Sequence, residues 1–170
     1  MIAAATAAQL PVLHALIERA YRGEAAKTGW THEADLLGGQ RTDLLALEEI
    51  LADPDQRLLG VHEGDTLVGC VLVRRCAAGR CYLGLLTVEP MRQAAGLGRR
   101  LIAAAEAAAR DMGATAMEMT VIERRGELVR WYERRGYRLT GERRPFPLDD
   151  PRFGLPKTRD LDFVVLERTL

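Results

Sequence analysis

Apolar residues recur along the chain in two rhythms, and the rhythm changes several times. Leu10, Leu13, Ile17 and Tyr21 stand at helical spacing, and Gly23 closes the run. Thr6 and Gln9 match a capping box just ahead of it. A start at Thr6 would leave Pro11 just past the first turn, which moves the expected helix start toward Leu10. A second helix is expected over Thr42–Asp53, with Leu44, Leu47, Ile50 and Leu51 on one side and Pro54 after its end. Between the two, Lys27–Gln40 has glycines at 29, 38 and 39 and no sustained period, so it reads as a loop or broken helix.

Strand patterns follow. Met1–Ala5 is a short edge-strand candidate. Arg57–Glu63 and Thr66–Arg75 are joined by Gly64-Asp65, a two-residue hairpin signal. Arg80–Val88 follows the turn at Ala77–Gly79. A helix over Gly98–Met112 places Leu101, Ile102, Ala105 and Met112 inward and stops at Gly113. Thr115–Ile122 reads as a strand, Glu127–Arg135 as a short helix ending at Gly136, and Tyr137–Arg144 and Leu161–Arg168 as the last strands. Pro145, Pro147, Pro151 and Pro156 make an irregular loop between those two. There is no internal repeat. Strands followed by a helix between two strands imply an α/β fold with a mixed sheet.

A chain of 170 residues is expected to form a single domain, 1–170, with a sizeable core. Lys plus Arg and Asp plus Glu both number 24, so the formal net charge is zero. That balance argues against a dedicated nucleic-acid or membrane-surface binder. Eight arginines and three glutamates within residues 124–144 do not overturn it, because a solvated helix face explains them in a neutral chain. No apolar stretch approaches the roughly 20 residues that span a bilayer, and MIAAATAAQLPV lacks a secretory pattern. Cys70, Cys76 and Cys81 show no metal-binding spacing and read as reduced thiols of a cytoplasmic protein. Cys76 and Cys81 flank a turn and are the one pair placed to meet. No metal is expected.

The chemistry concentrates at Gln93-Ala94-Ala95-Gly96-Leu97-Gly98, between a strand and a helix. Glycine lets the backbone turn sharply and lets a ligand approach without meeting a Cβ. The helix start adds unpaired N–H groups and the positive end of its dipole, which together favour a phosphate or pyrophosphate. Arg99 and Arg100 add charge. A Walker loop is absent, and Leu101 fills the third glycine position of a dinucleotide fingerprint. A plain tight turn before a helix remains the alternative for these six residues alone.

The wider sequence resembles the GNAT acyltransferases. LGLLTVEPMRQAAGLGRRLIAAAEAAARDMGA resembles their core strand ending in Val-x-Pro, their Gln/Arg-x-x-Gly-x-Gly/Ala loop and their long helix. ELVRWYERRGYR resembles their short helix with Tyr-Glu-x-x-Gly-Phe/Tyr. The match covers residues 83–138, and the order of segments fits nearly the whole chain. The resemblance implies a mixed, mostly antiparallel sheet of six or seven strands with about four helices. The sheet would splay between Arg80–Val88 and Thr115–Ile122, its fourth and fifth strands. It implies acetyl transfer from acetyl-CoA to an amine of a small molecule or peptide. The pantetheine arm would run along Leu86, Thr87 and Val88. The pyrophosphate would lie on the amides of Gln93, Ala94, Ala95, Gly96, Leu97, Gly98 and Arg99. It also implies that Tyr132 protonates the leaving thiolate, and that a homodimer would not be unusual. Two positions depart from the family pattern: Ala94 stands where many members carry glycine, and Arg125 where many carry asparagine.

Amine attack on a thioester needs a route for the ammonium proton, a donor to the oxyanion and an acid for sulfur. Candidate bases are Glu118, which alternates with Met117 and Met119 on its strand, and Glu33 or His32 in GWTHEADLL. A water chain with no single base serves equally. Trp30, His32, Glu33 and Phe146 are candidates for the acceptor pocket, with Asp149 and Asp150 nearby. An aromatic beside carboxylates would suit a cationic amine. Two other classes stay open: a catalytically silent acyl-CoA-binding regulatory module, and a nucleotide-binding domain using the same loop.

Overall fold

The longest unbroken buried run, residues 67–73, lies at the middle of a seven-stranded sheet, where both faces of a strand are covered. The computed structural model describes residues 1–170. In chain order the elements are β1 (Ile2–Ala4), α1 (Leu10–Tyr21), the short α2 (Gly23–Ala26), β2 (Leu37–Gly38) and α3 (Leu44–Ala52). Next come β3 (Gln56–Glu63), β4 (Thr66–Arg75), β5 (Arg80–Val88), α4 (Leu97–Asp111) and β6 (Ala116–Ile122). The chain ends with α5 (Gly126–Glu133), β7 (Arg138–Arg144), β8 (Leu155–Pro156) and β9 (Phe163–Thr169).

The main sheet runs β1-β3-β4-β5-β6-β9-β7. Every neighbouring pair is antiparallel except β5 and β6, which α4 joins by a helical crossover. This is the mixed, mostly antiparallel sheet that the sequence implies. Helices cover both faces. Leu13, Leu16 and Ile17 of α1 and Leu47 of α3 pack on Leu58, Cys70, Leu72 and Leu85. On the other face Leu101, Ile102, Ala105 and Ala109 of α4 pack on Val68, Val71, Val73, Met117 and Met119. The alanines let α4 lie close to the sheet. Gly69 of β4 tightens this further, because a Cβ there would meet the Thr87 carbonyl oxygen at 2.6 Å and Leu101 Cδ1 at 3.1 Å. The outer strand β7 is almost wholly exposed and carries Arg138, Arg143 and Arg144, charges of the kind that discourage strand addition at an edge.

Most expected boundaries agree with the observed ones to within two residues. Gln9 Oε1 accepts the Thr6 N–H at 2.9 Å, and α1 proper begins at Leu10 with Pro11 in its first turn. The segment expected as a loop, Lys27–Gln40, does contain a strand. Leu37 and Gly38 pair with Pro156 and Leu155 across most of the chain length. Two residues carry no readable period, so this pairing is set by tertiary packing around Leu37, Ile122, Phe146 and Leu161. All three cysteines are free thiols, and Cys70 and Cys81 are buried.

Gly69→Ala is expected to overpack the junction of β4, β5 and α4 and to cost about 1–3 kcal/mol. Urea denaturation of the variant beside the wild type measures it.

Candidate active site

β5 and β6 share only three register pairs, Arg80↔Ala116, Cys81↔Met117 and Tyr82↔Glu118, and then part. The parting coincides with a bulge. The β4–β5 register shifts between Cys70 and Leu72, and Leu85 opposite takes the left-handed φ of 46°. Its carbonyl accepts from Thr87 Oγ1 at 3.0 Å and from Cys70 Sγ at 3.6 Å. The Glu89 N–H returns to the Val68 carbonyl at 2.9 Å. By the alternation of a ladder, Val88 and Leu86 therefore turn their backbone groups away from β4, into the gap. Tyr21 Oη donates to the Leu86 carbonyl there at 2.8 Å.

Two cavities flank this gap. The larger, about 580 Å³, lies between Leu86–Val88, the loop from Gln93 to Gly98 with Arg99, and Trp131 and Tyr132 of α5. The smaller, about 250 Å³, is walled by Arg22, Glu33, Arg41, Tyr82, Thr120 and Phe146 among others. Tyr21, Leu86, Arg125, Leu128 and Tyr132 line both.

The loop entering α4 bends through Ala94 at φ 72° and Gly96 at φ 80°. Arg100 is the first amide to close onto this turn, donating to the Gly96 carbonyl at 3.1 Å. The amides of Leu97, Gly98 and Arg99 precede it and have no partner in the protein, as a helix start requires. Their location at the end of the larger cavity fits an anionic group, with the helix dipole adding to the attraction. A Cβ at Gly98 would meet the Trp131 ring at 3.3 Å, so glycine lets α5 come close. The Leu97 side chain is buried in the core and does not line the cavity, which leaves only its amide available. The Gln93 side chain turns back to the other rim. It accepts from the Thr31 N–H at 3.4 Å and donates to the Thr31 and Val88 carbonyls at 3.5 Å. Gly29 packs against its terminal amide, which a side chain there would displace. Trp30 stands over Trp131, ring centroids 6.0 Å apart, while the Arg135 guanidinium lies 3.5 Å from the centre of the Trp131 ring.

Tyr132 is buried where the cavities meet, edge-on to Trp131 at 5.0 Å and to Tyr137 at 6.0 Å. No protein group hydrogen-bonds its hydroxyl. Burial pushes that hydroxyl's pKa well above the ordinary tyrosine value, with Tyr21 adding to the effect. The Tyr21 hydroxyl is raised too, by burial first and against the pull of Arg41. Both therefore hold their protons at neutral pH.

Glu33 lies between two buried guanidiniums. Arg22 Nη1 donates to its Oε2, and Arg125 Nη1 to its Oε1 at 2.9 Å. Arg125 also donates to Thr31 Oγ1 at 2.7 Å, and Arg22 to the Phe153 carbonyl at 3.1 Å. Burial raises the Glu33 pKa, but Arg125, Arg41 and Arg22 outweigh it and hold the carboxyl below the usual range. A carboxylate held this way is a poor proton acceptor, which corrects the expectation of Glu33 as a base. It binds the 31–33 segment to α1 and to the turn before α5.

The other expectations divide. Leu86, Thr87, Val88, Gln93, Ala94, Ala95, Gly96, Gly98 and Arg99 all line the larger cavity, and Phe146 the smaller. Trp30, expected at the acceptor pocket, lines the larger cavity beside the loop and does not line the smaller one. Glu118 lines neither; from β6 its carboxylate accepts from Arg144 of the edge strand β7 at 3.2 Å. His32 also lies outside both, its Nδ1 accepting the Ala34 amide at 3.2 Å. Asp149 and Asp150 pair with Arg159 and Arg152 away from the cavities. Tyr21, Arg22 and Arg41 were not anticipated from the sequence. Tyr21 carried a faint signal, a hydroxyl on an otherwise apolar helix face.

Ala94→Gly is expected to stabilise the protein by up to about 1.5 kcal/mol. An alanine in the left-handed region costs about 1–2 kcal/mol, and glycine's extra unfolded-state freedom returns about 0.4–1 kcal/mol of that. A thermal melt checks the sign. Glu33 generates a pH dependence as well. Its folded pKa lies below the unfolded value of about 4.3. Its contribution is therefore complete above that value and is lost as pH falls through the lower, folded one. Melting temperature against pH should fall less steeply below about pH 4.3 in Glu33→Gln than in the wild type.

Comparison with known proteins agrees with this geometry. No curated protein matches the chain in sequence. A family model described as an acetyltransferase (GNAT) domain matches residues 34–146. Among solved structures, the ribosomal-protein-alanine N-acetyltransferase from Brucella melitensis superposes with a TM-score of 0.74 at 18% identity, covering 100% of this chain and 99% of that one. The ribosomal-protein-S18-alanine N-acetyltransferase from Escherichia coli gives 0.72 at 12%, with 99% and 92% covered. A GNAT family acetyltransferase from Elizabethkingia anophelis with acetyl-CoA bound gives 0.60 at 14%, with 74% and 82% covered. At these identities the structures show a shared fold, and the family match supplies the rest: the chain belongs to the GNAT family and is an acetyl-CoA-dependent acetyltransferase.

Proposed function

We propose that residues 1–170 act as a single N-acetyltransferase domain that acetylates a primary amine of a small molecule or peptide, with Tyr132 as the general acid. The observation that carries this is the Tyr132 hydroxyl, bonded to no protein group, at the meeting point of the two cavities. The fit to acetyl-CoA rests on three features of the larger cavity. The amides of Leu97, Gly98 and Arg99 would hold its pyrophosphate, the edge of Leu86–Val88 its pantetheine arm, and Trp30 with Trp131 would cover that arm. When bound there, acetyl-CoA supplies the thioester. Tyr132 then stands ready to donate its proton to the departing sulfur. Tyr21 holds the Leu86 carbonyl and keeps this edge of β5 in place at the junction.

No unpaired carboxylate faces the smaller cavity to act as a base. Arg22, Arg41 and Arg125 surround the acceptor position, and nearby cations lower the pKa of an ammonium. The amine would thus lose its proton to solvent without a dedicated acceptor, and attack in neutral form.

Tyr132→Phe removes a hydroxyl that holds nothing in the fold, so stability and CoA affinity should change little. Turnover should fall about 10²-fold or more. A thiol-release assay over an amine panel measures turnover, and calorimetry measures CoA binding. Wild-type protein that binds acetyl-CoA yet acetylates no amine would favour the silent binding module instead.

A further inference from the structure

The charged residues around the smaller cavity do not balance. Three guanidiniums, Arg22, Arg41 and Arg125, face one carboxylate, Glu33. Arg22 and Arg125 already share that carboxylate. Arg41 has no such partner: its guanidinium forms no ion pair and no hydrogen bond, and lies 5.1 Å from the centre of the Tyr21 ring. Its backbone is nonetheless fixed. The Glu18 carboxylate accepts the Arg41 N–H at 2.9 Å and the Thr42 N–H at 2.9 Å, which orients the backbone and leaves the side chain free. A half-buried guanidinium that faces a cavity and has no partner is suited to take an anion by charge-assisted hydrogen bonds.

We propose that the acceptor is a small primary amine that itself carries an anionic group, a carboxylate or phosphonate, and that Arg41 binds that group. This deepens the N-acetyltransferase reading and rests on it for where the amine goes. The amine must reach the junction at Leu86 and Tyr132. Tyr21 reaches that junction with its hydroxyl and lies beneath Arg41 with its ring. Anion and amine therefore flank one tyrosine ring, so a few bonds separate them, as in an α-amino acid. The remaining wall is mostly apolar, with Phe146 and Phe163 packed at 5.3 Å beside Ile122, and its two hydroxyls, on Tyr82 and Thr120, bond each other at 2.7 Å. That wall suits an aliphatic or aromatic substituent. The same surface disfavours polyamines and aminoglycosides. Their further ammonium groups would meet the excess positive charge, and no free carboxylate is present to take them.

The test compares matched acceptors: an aromatic α-amino acid, the amine left by its decarboxylation, the corresponding aminophosphonate, a polyamine and an alanine-terminated peptide. Each is assayed for CoA release, and each is titrated by calorimetry into the CoA-bound enzyme. The anionic amines should exceed the decarboxylated amine at least tenfold in kcat/KM, and Arg41→Gln should remove most of that ratio through KM. Carboxylate against phosphonate identifies the group preferred. Preference for the neutral amine, the polyamine or the peptide overturns the proposal, as does a ratio unchanged in Arg41→Gln. Calorimetry separates the two readings. Arg41-dependent binding of the anionic amines without CoA release keeps the anion site and sinks the N-acetyltransferase reading, whereas absence of any such binding preference sinks the anion site.

Discussion

The active cleft depends on β5 leaving β6 after three register pairs. A buried strand edge without partners is costly, since each backbone group loses water and gains nothing. The chain limits that cost in two ways. The bulge at Leu85 turns β5 aside, and its carbonyl is taken up by Thr87 and Cys70. Tyr21 then satisfies the Leu86 carbonyl from α1, on the opposite side. What stays open is the stretch facing the larger cavity. The opening is held by packing on both faces, with α1 and α3 against one and α4 against the other.

Charge assigns different tasks to the two sides of that opening. On the side of the larger cavity the positive potential comes mainly from backbone: the free amides and dipole at the start of α4, supplemented by Arg99. On the other side it comes from side chains, and most of those are tied together. Glu33 unites Arg22 on the chain after α1 with Arg125 before α5. Removing either partner would leave a buried charge uncompensated, which is far more costly than the pair's own net worth. Arg125 thus makes a charged bridge between two segments.

Local pattern accounts for much of what was legible in the sequence. Helical spacing located α1, α3 and α4, alternation and a Gly-Asp turn located β3 and β4, and six residues located the loop at the start of α4. Tyr132 was readable because its neighbours repeat a family motif. The acceptor side was not readable in the same way. Glu33 looked like a base and Glu118 like a cleft residue, but each is held by arginines distant in sequence. Trp30 pairs with Trp131 and lines the larger cavity, a placement its local sequence did not show. The mini-sheet of β2 and β8 left no periodic trace at all.

The sequence by itself determined the elements, the family and the loop whose free amides open α4. Each of these depends on residues within a few positions of one another, where spacing dictates geometry. Only the tertiary structure decided which carboxylates are occupied, which tyrosines face the gap, and that Arg41 is a cation without a partner. Those are properties of pairs brought together across tens of residues. The burial and electrostatics that fix them arise only once the two faces of the sheet are covered.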